Sequence, residues 1–200
     1  ACVCPTKLYY IGRKNEYANQ SVEDTFLLAL ADGGFQVGEL AKAYFPGGIE
    51  MRTLNYETAE AKTRELLERE NVVIFEAALR FEDLFVRVDV LEKRGDQLRL
   101  IEVKSKSWDP VNDGFSNKDG TLKTPMLPYL YDIAFQKYVA VRAFPEFEIS
   151  ASLMLTDKSS RCPTDGLHQK IRIVKEDGRK RAKIVSELTE EDLSVQMLTE

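Results

Sequence analysis

Residues 72–106 constrain the fold more than any other stretch of this 200-residue chain. They contain three runs in which Val, Ile, Leu and Phe alternate with polar residues, a pattern typical of β-strands. The second run covers 84–93 and the third covers 97–105, and between them lies a short turn with glycine at its centre. Glycine readily takes the positive φ that such a tight turn requires. The stretch therefore predicts three consecutive strands, of which the last two form a hairpin.

Charged residues interrupt the apolar character of these predicted strands. Asp89 lies within the second run, and Glu102 and Lys104 lie two residues apart in the third. The strand period of two places Glu102 and Lys104 on one face of the sheet. Burying such charges is costly unless they are paired or hold a metal ion. Both explanations stay open at this point, because a cross-strand ion pair on an ordinary sheet would use the same residues.

The segments on either side of the three strands predict helices and further strands. Two short helices are expected before residue 45, separated at Gly33-Gly34, and a third is expected to begin after Asn55 as its N-cap. A polar loop over 107–124 follows the strands, and then comes a helix over 126–144. Further strands are predicted at 148–156 and 170–175, and a last short helix is predicted from residue 188. The middle of the chain therefore has the order α-β-β-β-α-β.

Composition excludes few function classes. The hydrophobic fraction of 44% and the charged fraction of 30% are ordinary for a globular protein. The net charge of -5 provides no general basic surface, so a nucleic-acid-binding protein of this composition would need a local basic patch. No apolar run is long enough to span a bilayer and no signal peptide is evident, which predicts a cytoplasmic protein without a membrane partner. Three cysteines do not make a disulfide framework.

The acidic residues and lysine resemble a known motif. Asp89 and the sequence Glu102-Val103-Lys104, with twelve residues intervening, resemble the site of the PD-(D/E)XK nuclease superfamily. Glu76 upstream and Gln136 in the following helix make the chain similar to the RecB-like branch, which includes CRISPR-associated exonucleases. This resemblance implies an α/β fold with a restriction-endonuclease-like αβββαβ core, in which helices flank a mixed central sheet.

The resemblance also implies how the chain is organised. It implies one RecB-like nuclease domain over residues 1–200, with a helical part over 1–70, a catalytic core over 71–156 and a C-terminal extension over 157–200. We expect this domain to be part of a longer protein. Many members of the branch carry a histidine on an early helix, and Gly38 occupies that position here, next to Glu39.

The chemistry implied by the resemblance is metal-dependent hydrolysis of DNA, expected to start from an end. Asp89, Glu102 and the backbone carbonyl of Val103 would hold Mg²⁺ or Mn²⁺, and Glu76 would hold a second ion or a water. Lys104 would stay protonated between the carboxylates, orient the attacking water and stabilise the transition state. Asp89, Glu102 and Lys104 are therefore the predicted catalytic residues.

The predicted DNA contacts are less specific. Gln136 and Tyr138 in the helix, together with Lys106 and Lys123 beside it, would contact the nucleic acid. A solvated helix face and a mobile loop would explain the same residues. Two other classes of protein also remain open, namely a catalytically inactive nucleic-acid-binding or scaffold domain with the nuclease fold, and a structural protein that does not bind nucleic acid.

The beginning of the chain contains a further possible motif. Cys4 and Tyr9 fit the Cys-Pro-x-x-x-Tyr opening of relatives that carry an iron–sulfur cluster. Such a cluster needs about four thiolates. This chain would therefore hold one only if further cysteines lie beyond residue 200, in a domain or partner protein on the C-terminal side.

Overall fold

The computed structural model describes Thr6 and residues 9–10, 12–13, 15–17, 24–176, 179–194 and 197–200. A one-turn 3₁₀ helix, Thr124–Met126, directly precedes the helix that begins at Leu127. The helices and strands follow in the order α1 (Thr25–Ala43), β1 (Ile49–Glu50), α2 (Tyr56–Leu66), β2 (Asn71–Phe81), β3 (Leu84–Arg94), β4 (Gln97–Trp108), α3 (Leu127–Ala143), β5 (Glu148–Asp157), α4 (Leu167–Lys170), β6 (Ile171–Glu176), β7 (Arg179–Ile184) and β8 (Leu198–Thr199).

The central sheet is mixed and has six strands in the order β1-β2-β3-β4-β5-β8. Strands β2, β3 and β4 are antiparallel neighbours, whereas β4 pairs with β5 in parallel. The prediction of an α/β fold with a mixed sheet is therefore confirmed, and so are the three consecutive strands. Gly95 in the turn between β3 and β4 has a φ of 59°, as the sequence predicts. The sheet also takes β1 from the N-terminal part of the chain and β8 from the C-terminal extension.

Helices cover both faces of the sheet. On one face, Ala41 of α1 packs in a cluster with Phe75, Val90, Ile101 and Met154, one from each of the four central strands. On the other face, α2 and α3 pack against a larger cluster that includes Leu98 and Leu100 of β4. Among the described helices, none has both the length and the apolar character that crossing a membrane demands.

Two of the local predictions are wrong. The chain over 25–43 is one helix, although two helices were expected with a break at Gly33-Gly34. Asp24 caps this helix by accepting hydrogen bonds from the backbone N–H groups of Phe26 and Leu27. Glycine lowers helix stability by only about 1 kcal/mol, and packing of α1 against the sheet outweighs that cost.

The second wrong prediction concerns the C-terminal part. The strand expected at 170–175 is confirmed as β6, which pairs with β7 in a two-stranded hairpin outside the central sheet. The described residues from 188 onwards form turns and β8, whereas a short helix was expected. Asp192 there accepts hydrogen bonds from Thr189 and Lys170, which holds the turn closed.

Candidate active site

The candidate site lies where β3 and β4 separate. Their ladder begins at the turn and ends at the pair Val90–Ile101, one residue before Asp89 and Glu102 would pair. Beyond this point β4 stays paired with β5. The Oδ2 atom of Asp89 accepts a hydrogen bond of 2.7 Å from the backbone N–H of Val103. The Asp89 carboxylate thus takes the place of the missing backbone contact.

Glu76 lies beside Asp89 on the neighbouring strand. The ladder of β2 and β3 contains the pairs Phe75–Val90 and Ala77–Val88, so Glu76 falls opposite Asp89 in this register. Its φ is 57°, in the left-handed region, which is unusual for a residue other than glycine within a strand. Such backbone conformations occur most often at functional sites.

Glu102 and Lys104 point towards α3, on the opposite face of the sheet from α1. Glu102 is buried, with 5% of its surface exposed, and forms an ion pair with Lys104. The amide of Gln136 donates a hydrogen bond of 2.7 Å to the second oxygen of Glu102. The Nζ atom of Lys104 also lies 2.9 Å from Oδ2 of Asp132. A lysine, two carboxylates and an amide therefore form one connected network.

Asp132 was not identified from the sequence. It lies four residues before Gln136, so both side chains project from the same face of α3. Apolar residues at helical spacing, among them Leu130, Tyr131 and Val141, predict a different buried face for this helix, but Tyr131 and Val141 are exposed. The spacing of Asp132 and Gln136, four residues apart in a predicted helix, was the sequence signal that could have placed Asp132 beside Glu102 and Lys104.

The charges of this network shift the pKa values of its members. Burial, and next the charge of Glu102, raise the pKa of Asp89 to about 7, although the hydrogen bond from Val103 and the charge of Lys104 oppose the rise. Burial also raises the pKa of Glu102, against the hydrogen bonds from Gln136 and Lys104. Burial favours loss of the Lys104 proton, but the hydrogen bonds to Glu102 and Asp132 outweigh it and raise the pKa. Lys104 is therefore positively charged at neutral pH.

A cavity of about 430 Å³ opens beside Asp89 on the α1 face. Glu76, Asp89 and Val103 line one side of it, and Gly38 and Glu39 of α1 line another. Glu102 and Lys104 are not part of its lining. The site therefore has two sides, with Asp89 and Glu76 at the cavity and the Glu102–Lys104 pair at α3.

Three of the predicted DNA-contacting residues lie away from these groups. Tyr138 is two residues after the buried Gln136, so it projects from the opposite side of α3, where Arg142 stacks on its ring at 3.7 Å. Lys106 is exposed and Lys123 is half-buried, and neither lines the cavity. The structure thus brings Gln136 into the site but not the other three residues.

The predicted cluster ligand Cys4 lies outside the described residues. Cys162 lies within the described residues, is half-buried and donates a hydrogen bond to the carbonyl oxygen of Thr164.

The carboxylate and amide oxygens of the site are the kind of donor atom that a hard divalent cation binds. The charge of Glu102 raises the pKa of Asp89, and a cation bound between the two carboxylates would relieve that repulsion. The buried Oε1 atom of Gln136 accepts no hydrogen bond from the described part of the protein, and it is also a hard oxygen donor. Within that part, however, no three His, Cys, Asp or Glu side chains stand grouped as ready metal ligands. Loading the site would therefore require Glu102 to loosen its contacts with Lys104.

Comparisons with known proteins add no family assignment. The chain matches no family model, no curated protein and no solved structure.

Proposed function

We propose that this protein is a metal-dependent nuclease that hydrolyses phosphodiester bonds in DNA, and that its αβββαβ core is of the restriction-endonuclease type. The observation that carries this proposal is the half-buried Asp89, which lies where two strands separate and whose pKa is raised by the charge of the buried Glu102. A fold gains no stability from two carboxylates that repel each other, and perturbed pKa values of this kind concentrate at functional sites. The resemblance to RecB-like nucleases concerns the same residues.

In this proposal Asp89 and Glu102 hold Mg²⁺ or Mn²⁺, with the Val103 carbonyl and Glu76 as further oxygen donors. The bound ion would supply positive charge for the phosphate oxygens and make water more acidic. Lys104, kept protonated by Glu102 and Asp132, orients the attacking water and stabilises negative charge on the phosphate. Gln136 holds the Glu102 carboxylate in place through its amide.

A second candidate function is a DNA-binding or scaffold domain that retains this fold without catalysis. The observation in its favour is that Lys104 and Gln136 already engage both carboxylate oxygens of Glu102 without a metal ion. A buried ion pair of this kind can be purely structural. Cleavage assays separate the two candidates.

The test is cleavage of linear and circular DNA, single and double stranded, with Mg²⁺ or Mn²⁺ and with a chelator as control. The wild-type protein is expected to cleave only with metal, and loss of linear DNA alone would identify an exonuclease. The Lys104→Ala variant should lose at least about 100-fold in rate, because it lacks the cation that stabilises the transition state.

The Lys62→Ala variant is the matched control, because it removes an exposed lysine from α2 without touching the site. It should cleave like the wild type. Cleavage by Lys104→Ala at the wild-type rate would refute the assigned role of this lysine. Absence of cleavage on every substrate, together with no Mn²⁺ binding by calorimetry, would favour the scaffold function.

A further inference from the structure

The hairpin of β6 and β7 is the most basic part of a chain that is acidic overall. Residues 171–184 contain six Lys or Arg and two Asp or Glu, whereas the whole chain has a net charge of -5. The hairpin does not join the central sheet and packs against α1. It therefore concentrates positive charge on the side of the molecule where α1 and the cavity lie.

The pairing of the hairpin places several of these charges on one face. Arg172 pairs with Lys183, and Val174 pairs with Arg181, so Arg172, Lys183 and Arg181 share a face. The opposite face carries Ile173 and Ala182, together with the pair Lys175–Lys180. Lys183 lies 3.5 Å from Glu176 on the same face, and an anion bound beside Arg172 and Arg181 would offset the positive charge that remains.

Arg181 brings this charge into the cavity beside Asp89. Arg181 is half-buried and lines the cavity, and its side chain has no hydrogen-bond or ion-pair partner in the described part of the chain. Arg87, on β3 two residues before Asp89, lines the same cavity and donates only to the backbone carbonyl of Thr53. A half-buried guanidinium loses hydration, and a bidentate anion is its best replacement.

The other cations at the cavity already have partners. Lys42 forms ion pairs with Glu39 and Glu50, Arg52 pairs with Glu50, and Lys180 pairs with Asp32 of α1. Arg87 and Arg181 are thus the two cavity-lining cations without a carboxylate partner among the described residues. Both share the cavity with Glu76 and Asp89, the proposed metal ligands.

We propose that Arg87 and Arg181 bind backbone phosphates of a single DNA strand and that the basic face of the β6–β7 hairpin extends this contact away from the site. The inference rests on the proposed nuclease function, for which it names the strand-binding surface. The cavity of about 430 Å³ admits a nucleotide or two but not a double helix, so the bound form is single-stranded. Phosphates held by the arginines would lie beside the acidic residues.

The experiment measures binding of fluorescent single-stranded DNA and of the matching duplex by anisotropy, with a chelator present so that no cleavage occurs. Arg181→Ala and Arg87→Ala should each weaken binding about 10-fold. Each should also lower the steepness of the dependence of log Kd on log salt concentration by about one, because one phosphate contact is lost. Arg181→Lys should recover part of the affinity, and Lys62→Ala should bind like the wild type. Circular dichroism and urea midpoints confirm that the variants fold.

The outcomes separate this inference from the proposed function. If both arginine variants keep the wild-type affinity and salt dependence, the strand-binding surface is refuted even when the wild type cleaves DNA. If the variants lose binding but the wild type cleaves no substrate with any metal, the surface stands and the nuclease function fails. Equal loss of affinity for single-stranded and double-stranded DNA would refute the specificity for a single strand.

Discussion

Replacing Asp89 by asparagine should stabilise the metal-free protein, and more so at high pH. The folded state binds the Asp89 proton more tightly than the unfolded state does, since its pKa rises from 3.8 to about 7. The stability that this proton provides is complete below pH 3.8 and is lost as the pH rises through about 7. Asp89→Asn removes the charge, and its side-chain oxygen can still accept the Val103 hydrogen bond.

The magnitude follows from the pKa values in the folded and unfolded states. Relative to the fully protonated protein, the raised pKa of Asp89 lowers the free energy of unfolding by about 4 kcal/mol at pH 8 and by about 2 kcal/mol at pH 5. The gain in free energy of unfolding from Asp89→Asn should therefore be larger at pH 8 than at pH 5 by roughly 2–3 kcal/mol. A gain in stability when a functional residue is replaced is the usual trade-off between activity and stability.

The assay is urea unfolding of wild type and variant at pH 5 and pH 8, with a chelator throughout. Asp83→Asn, an exposed position in the turn between β2 and β3, is the matched control and should change stability by less than about 0.5 kcal/mol at both pH values. A free-energy change for Asp89→Asn that is equal at the two pH values, or a less stable variant at pH 8, would refute the electrostatic reasoning.

Metal ions should reverse the order of stability. An ion that binds the folded state stabilises it by about 2.7 kcal/mol at 100 times its dissociation constant. Mn²⁺ should therefore raise the unfolding midpoint of the wild type and leave Asp89→Asn almost unchanged. An equal rise in both proteins would show that the ion binds elsewhere.

Three further predictions concern neighbouring positions. Asp132→Asn removes one of the two carboxylates that raise the pKa of Lys104. The alkaline limb of the plot of cleavage rate against pH should therefore move to lower pH, and the rate should fall about 10-fold. An unchanged plot would contradict the role of Asp132 in keeping Lys104 protonated. Gly38→His should bind Mn²⁺ more tightly than Gly38→Ala in calorimetry, because a side chain added at this cavity-lining position meets no atom within 4 Å. Equal affinities of the two variants would refute the placement of residue 38 beside the metal site. Gly95→Ala should lower the free energy of unfolding by about 1–2 kcal/mol, because φ is 59° there, and should leave DNA affinity unchanged.

Local pattern alone was enough to predict most of the central sheet and its neighbours. The alternation of apolar and polar residues over 72–106 determined three strands, and glycine at 95 determined the turn. Asn55 determined where α2 begins, because its side chain accepts a hydrogen bond from the Thr58 backbone N–H. These features depend on residues close in sequence, through backbone conformation and burial of one face. For the same reason Glu102 and Lys104 could be placed together on the face of the sheet that carries Leu98 and Leu100.

Contacts between distant segments decided the rest. The continuity of α1 through two glycines depends on packing against β4, and the orientation of α3 depends on which of its faces meets Glu102. Asp132, 28 residues from Lys104, joins the site only because the chain between them returns across the sheet. Arg181 reaches the cavity through a hairpin that the central sheet leaves out. Sequence periodicity gives no information on contacts between residues far apart in the chain, because the burial and charge pairing of those residues arise only when the chain folds.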